Sequence, residues 1–329
     1  MKTIDTETDL DDLRRSAQTW AVVMAWGKNG LFDAMSDGAP HSASDLPGDT
    51  RSIEITATLL GHIGLLIRHE TEEGSHQWSL SATARELHAQ GSLSIPRSTG
   101  ISELSRLPDV LTEGGPVRDD EGQRRATAIG VDPDNPEGAR MFMNMLYRRS
   151  GVAAGETARL LAARLPKGGR ALDLGGGHGR YGEELARHGF EVTLFDQPVC
   201  VEVAKERYGD SQHYIAGDFM VDDLGGPYDL VLGSNIVHGL SDTDLTHLHP
   251  RLREVIRPGG LLVWKDMFLD DTAIGPESAA VFGILMLMYT EGGRSYSVQE
   301  MGRILADAGF DSLHHTLVAD QRFSLVIGQ

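Results

Sequence analysis

Cysteine is all but missing from this chain: Cys200 is its one thiol. A single thiol rules out intrachain disulfides and cysteine-built zinc sites, and points to a reducing compartment. Basic residues are also scarce, with 30 Lys and Arg against 48 Asp and Glu, for a formal charge of −18. That balance disfavours nucleic acid and anionic membranes as partners, because phosphate recognition needs clustered cations. Long apolar runs are absent. The greasiest stretch, AAVFGILMLMY (Ala279–Tyr289), falls far short of the roughly 18–20 residues that span a bilayer, and reads as a buried helix or pocket wall. The start, MKTIDTETDLDDL, is polar and acidic, without the basic head and apolar core of a signal peptide. A cytoplasmic protein with no membrane partner is expected.

What is present suits a soluble globular chain: 329 residues, 40% of them hydrophobic, enough for two modest domains with real cores. The first hundred residues read as helices followed by a short β-ribbon. Apolar residues recur at helical spacing through Ala21–Met35 and again through Ile53–Ile67, and the turn EEGSHQ and WSLSATARELH follow. Helices followed by a two-stranded wing are the order of a winged helix. A DNA-reading helix, however, exposes polar and basic side chains. Here TRSIEITATLLGHIGLLI is apolar, with arginines only at its ends (Arg51 and Arg68). A dimerisation or packing module is the better reading, since such a helix belongs against another subunit.

Between about 91 and 150, PDVLTEGGPVRDDEGQ and IGVDPDNPEG read as loops between short helices, and MFMNMLYRRSGVAAGETARLLAARL resumes a helix. From Arg170 strands and helices alternate: RALDLG, RYGEELARHG, EVTLFD, VCVEVAKERYG, HYIAGDF, YDLVLGSN and GGLLVWKDMF. This pattern predicts an α/β fold, a Rossmann-like, doubly wound, mostly parallel sheet, with ligands at the carboxyl ends of its strands.

At the first of those ends stands ALDLGGGHGRYG, which supports two frames. Gly177, Gly179 and Gly182 match the dinucleotide fingerprint G-x-G-x-x-G, while Asp173, Gly175, Gly177 and Gly179 form D-x-G-x-G-x-G. Later residues favour the second frame, and make the match through Gly182 incidental. Asp196 ends the next strand, placed for ribose hydroxyls, a feature both frames share. Asp218 ends the third, where a carboxylate can accept an adenine amino proton and Phe219 or Met220 can cover the ring. His238 follows the fourth strand in SNIVHGLSD, at the mouth of the site.

DLGGGHG, LFDQP, GDF, NIVHGLSD, RPGGLLVWKD and LADAGF occur in the order of one family, over most of the chain. The chain resembles class I S-adenosylmethionine-dependent methyltransferases, of the small-molecule O-methyltransferase type found in plant phenylpropanoid and bacterial natural-product pathways. The resemblance implies an N-terminal, mainly helical, winged-helix-like dimerisation domain (residues 1–100), a helical linker contributing to the substrate pocket (101–155) and a catalytic domain (156–329). A homodimer with S-adenosyl-L-methionine as cofactor is therefore expected. By position Asp173, Gly175 and Gly177 would line the cofactor, Gly175 at its methionine portion, with Asp196 at the ribose and Asp218 with Phe219 at the adenine. Ser234 stands where many relatives carry a cofactor-contacting lysine. His238 matches the family's general base, and Asp266 the acid that orients it. Met145, Arg148, Arg149 and Asn235 are candidate substrate contacts, the two arginines as a carboxylate clamp.

Two departures point to a remodelled pocket. Gly239-Leu240 follows the histidine where relatives carry Asp-Trp, and Arg294–Ser297 stand where relatives often carry a second acid. Two alternatives stay open beside O-methylation. One is C-methylation of a keto acid, with a metal drawn from His238, Asp242, Asp244, His247 and His249; the other is a non-methylating descendant. No metal ligand set is assigned, and Cys200 reads as a small buried hydrophobe.

Overall fold

The computed structural model describes residues 3–71, 75–93, 104–114, 116–118, 135–311, 313–319 and 323–329. The chain divides into two compact units, Met1–Ser102 and Glu103–Gln329.

The first unit contains α1 (Glu7–Lys28), α2 (Leu31–Ala34), α3 (Thr50–His62), the strands β1 (Leu66–Glu70) and β2 (His76–Leu80), and α4 (Ala82–Ala89). Thr6 caps α1 with a full capping box through Asp9, and Asp49 caps α3 by accepting from the Ser52 amide. Trp26, Phe32, Leu60 and Trp78 centre the core, and Trp26 Nε1 donates to Thr56 Oγ1 at 2.8 Å, joining α1 to α3. Two expectations change here. The helix expected through Ala21–Met35 breaks at Asn29–Gly30, where Gly30 is left-handed, and the one expected through Ile53–Ile67 stops at His62. Left-handed Gly64 turns the chain, and Leu66 and Ile67 pair in an antiparallel ribbon with Leu80 and Ser79. An apolar run fits both periods, so periodicity alone does not separate them.

The second unit contains α5 (Leu107–Glu113), α6 (Pro136–Ala162), β3 (Arg170–Leu174), α7 (Arg180–Arg187), β4 (Glu191–Asp196), α8 (Pro198–Tyr208), β5 (His213–Ala216), β6 (Tyr228–Ser234), α9 (Asp242–Val255), β7 (Ile256–Asp266), α10 (Glu277–Tyr289), α11 (Val298–Asp307), β8 (His314–Val318) and β9 (Phe323–Gly328). Pro108–Glu113, read as loop, is helical in α5. Most of the loop expected through 119–134 lies outside the described residues. The boundary expected at 155/156 falls inside α6, one unbroken helix.

The sheet runs β5-β4-β3-β6-β7-β9-β8. Its first five strands are parallel, and β9 enters antiparallel between β7 and β8. Both faces are covered, which is why the strands are apolar almost throughout. Leu172, Leu174, Val231, Leu262 and Trp264 face α9 and α11; Ala171, Leu230, Leu232 and Val263 face α6 and α7. Among the described residues no helix is long and apolar enough to cross a membrane. The AAVFGILMLMY stretch is α10: Ala279, Met286, Met288 and Tyr289 are buried, while Val281, Ile284 and Leu287 are exposed.

One packing contact fixes the spacing of the two central strands. Gly233 of β6 lies opposite Trp264 of β7, and a methyl group at Gly233 would overlap the indole ring. Trp264 cannot swing away, because its Nε1 donates to buried His249 Nε2 at 3.0 Å. Gly233→Ala should therefore cost about 1–3 kcal/mol of stability by overpacking. Chemical denaturation measures it, and an unchanged midpoint would contradict the contact.

Candidate active site

The loop after β3 is shaped by backbone conformations that side chains resist. Gly175 and Gly177 have φ of +63° and +51°. A Cβ at Gly175 would come within 2.7 Å of Ile236, and one at Gly177 within 3.1 Å of Met143 Sδ from α6. Asp173 lies fully buried beneath this loop, its Oδ2 accepting the Gly182 amide at 2.9 Å. Burial pushes its carboxyl up to about 7; the Gly182 amide opposes that shift and the Asp196 charge adds to it. Gly182 lies inside α7, so its match to the dinucleotide frame stays incidental, but it has a packing role of its own. A Cβ there would approach Gln212 Oε1 to 2.6 Å and Asp173 Oδ2 to 3.1 Å, so its bareness lets α7 sit close on the strand.

Asp196 ends β4 and accepts from the Gly177 amide at 2.7 Å and the Gln197 amide at 2.6 Å. A carboxylate has about four acceptor positions, and with the Cys200 thiol also donating to it one stays open. Burial raises this carboxyl against those two amides and the Cys200 thiol. Cys200 itself is buried with Met143 and Val203, and burial beside Asp196 pushes its thiol up. Asp218 is exposed; its Oδ1 accepts the Met220 amide at 2.8 Å, shaping the turn that follows β5. Phe219 is half-buried against the core. Ser234 ends β6 with its hydroxyl buried and, among the described residues, without a hydrogen-bond partner.

Beyond Ser234 the chain makes a tight turn. Asn235 is left-handed (φ +56°), and the 3₁₀ turn Val237–Gly239 carries His238. The His238 Nδ1 lies 2.8 and 2.9 Å from the two Asp266 carboxylate oxygens, and the His238 amide donates to Asp266 Oδ2 at 3.3 Å. His238 and Asp266, twenty-eight positions apart, are thus in contact at the ends of adjacent strands. Burial alone would raise the Asp266 carboxyl. The His238 ring, the Met267 amide and the Lys265 ammonium outweigh it and hold the group below the ordinary carboxylate range. An anion against Nδ1 makes that nitrogen the N–H donor and leaves Nε2 its lone pair. Phe282 of α10 stands edge-on to the imidazole, ring centres 4.7 Å apart, and a methyl group at Gly293 would overlap the His238 carbonyl oxygen.

Other expected residues lie differently. Arg148 and Arg149 are exposed, and among the described residues neither side chain makes a hydrogen bond or ion pair. The arginines gathered beside the glycine loop are Arg180 and Arg207, 4.5 and 4.0 Å from the centre of the Tyr147 ring, tying α6 to α7 and α8. They flank buried His178, whose pKa is lowered to about 4 by burial and then by Arg207, Arg180 and Lys265. Met145 is half-buried; it is Met143 that rests on the loop. Of the residues considered for a metal besides His238, three have other partners, and His247 is exposed. Asp242 pairs with Arg294, Asp244 completes the capping box of α9 with Ser241, and His249 accepts from Trp264. Among the described residues no group of three or more His, Cys, Asp or Glu could hold a metal ion.

The family model for an O-methyltransferase domain matches residues 115–311, more than half of the chain. The chain belongs to the O-methyltransferase family. It is 29% identical to 3-hydroxy-5-methyl-1-naphthoate 3-O-methyltransferase of Streptomyces sahachiroi, over 92% of this chain and 89% of that one. It is also 31% identical to acetylserotonin O-methyltransferase of Mus musculus molossinus, over 57% of this chain and 52% of the mouse enzyme. Its fold is that of human N-acetylserotonin methyltransferase in complex with SAM (TM-score 0.72, 20% identity, covering 100% and 99% of the two chains). The structure of PigF with SAH is similar as well (TM-score 0.77, 20% identity, covering 98% and 99%). The methyltransferase resemblance read in the sequence therefore holds, and with it the α/β fold class.

A buried carboxyl with a raised pKa makes stability depend on pH. Folding favours protonated Asp173, so its contribution is complete below about pH 4 and is lost as pH rises towards 7. Asp173→Asn should gain stability relative to the parent protein between pH 4 and 7, then run parallel above 7. Denaturation midpoints across that range measure the difference, and a constant gap would refute it.

Proposed function

We propose that this member of the family is an S-adenosylmethionine-dependent O-methyltransferase in which His238 takes the proton from a hydroxyl of a small aromatic molecule. The observation that carries the reading is the His238–Asp266 contact beside the glycine loop. The residues present suit the cofactor. Gly175 and Gly177 hold the loop in left-handed turns that place bare backbone beside Asp196, Asp196 keeps an open acceptor position for a hydroxyl, and the Ser234 hydroxyl has unmet hydrogen-bonding capacity. Asp218 and Phe219 would serve the adenine. When bound, the cofactor supplies an electrophilic sulfonium methyl that needs no further activation.

The protein's task is then to align the acceptor and to remove one proton. Asp266 fixes the Nδ1–H tautomer, so Nε2 is free to receive the hydroxyl proton, and the carboxylate then stabilises the imidazolium. Phe282 confines the ring from the side. The wall it belongs to, α10, is apolar nearly throughout, which suits a flat, weakly polar acceptor. The Streptomyces relative, named for a hydroxynaphthoate, supports an aromatic hydroxyl as the target.

His238→Ala should lower kcat by about 10²–10⁴-fold, the usual range for a general base. Its affinity for S-adenosylhomocysteine should stay unchanged. Transfer of tritium from labelled cofactor to a panel of hydroxylated aromatics, hydroxynaphthoates included, measures the loss. Normal turnover by the variant would remove His238 from its role.

The same reading includes a homodimer formed through the N-terminal unit. Leu10, Leu13 and Trp20 of α1 and Ile55 of α3 are exposed there, more apolar surface than two helices of a free monomer usually present. Light scattering should report a dimer for the parent chain and a monomer for Trp20→Glu; equal masses would overturn this assignment.

A further inference from the structure

Lys265 is a charged side chain that the reaction above leaves unused. It sits next to Asp266 in β7 but points to the opposite face of the sheet, towards α6 and α7, and is fully buried. A buried ammonium is costly unless its three N–H groups are answered. Among the described residues its Nζ makes one hydrogen bond, to Asn235 Oδ1 at 2.7 Å. The Phe323 ring lies beneath it, 3.2 Å from Nζ to the ring centre, and the Tyr181 ring lies at 5.5 Å. A leucine or methionine would fill this space at lower cost, so the amine must serve something beyond packing.

What it holds is the turn. Asn235 is the left-handed residue between β6 and His238, and the Lys265 carbonyl oxygen accepts the Asn235 amide at 2.8 Å. Main chain and side chain of one lysine therefore grip both the backbone and the amide group of one asparagine. Three residues after Asn235 comes His238; one residue after Lys265 comes Asp266. The two halves of the His–Asp pair are thus each chained to one partner of the Lys–Asn pair. We propose that Lys265 is a positioning residue, which sets the His238–Asp266 contact by locking Asn235 in its left-handed turn. Its importance for turnover rests on His238 being the base, while its effect on the geometry does not.

Burial lowers the Lys265 pKa to about 7, with Asp266 pulling it back up, so neither protonation state is strongly favoured near neutral pH. Both states keep an N–H for Asn235, so the grip survives the titration. Charge is a secondary matter here; the donor is what the turn uses.

The test uses the full chain and needs no acceptor substrate. The proton shared by His238 Nδ1 and Asp266 is followed by proton NMR and assigned by its loss in His238→Ala. In Lys265→Met that proton should exchange with water at least about tenfold faster, as a loosened hydrogen bond predicts. Asn235→Gly keeps a residue that accepts the left-handed turn but removes the acceptor. It should reproduce the faster exchange, and the double variant should be no worse than either single one. Unchanged exchange in a folded Lys265→Met protein, or effects that multiply in the double variant, would overturn the proposal. Should Lys265→Met fail to fold, Asn235→Gly decides alone, with unchanged exchange as the refuting result. Normal methylation by His238→Ala would strike the base assignment and leave this outcome standing.

Discussion

A carboxylate with almost no access to water must be answered by its neighbours, and Asp266 sets that demand for the whole site. Its two oxygens take the His238 ring, the His238 amide and the Met267 amide. Satisfying them fixes where the turn after β6 can lie, because the donors come from that turn and from the strand's own end. The imidazole then has one orientation and one tautomer. The chemistry proposed at Nε2 follows from an acid at the end of β7 that could not be left unpaired.

The glycine loop is governed by a different constraint, the lack of room. Strand β3, helix α7 and the end of β4 converge there, with Asp173 buried under the backbone and Asp196 binding it from the side. Each bare position permits a contact that a methyl group would block: Ile236 against Gly175, Met143 against Gly177, Asp173 and Gln212 against Gly182. Ile236 also belongs to the turn that carries His238, so the loop and the proposed base share a wall. A change in the loop's shape would reach the imidazole through that one side chain.

Much of this was legible in the sequence. Asp173, Gly175, Gly177, Asp196 and His238 could be placed because each lies at or shortly past the end of a strand in a short, local strand–loop pattern, and the sheet collects those ends on one edge. Contacts set by the third dimension were not. Met143 rather than Met145 touches the loop, a matter of about 200° of rotation along α6. Arg148 and Arg149 turn outward for the same reason, while Arg180 and Arg207 come from helices far apart in sequence. The pairing of β9 with β8 as a hairpin is local, but the insertion of β9 antiparallel beside β7 had no local signature, since those two strands lie far apart in sequence. Lys265 did leave one, a lone ammonium inside LLVWKDMF, but its partner Asn235 is thirty residues away. The end of α3 was misread because Leu66 and Ile67 continue a helical period that Gly64 has already broken.

The packing of Gly233 against Trp264 has a consequence for how this protein can change. The indole fills the space that a side chain on the neighbouring strand would need, and His249 holds it there through its ring nitrogen. Any side chain at position 233 costs stability while the tryptophan stays, and a smaller residue at 264 alone would open a void beside the end of β6. The two sites, with position 249 behind them, form a three-membered unit that can drift only together. Divergence in this part of the sheet has to pass through a less stable intermediate.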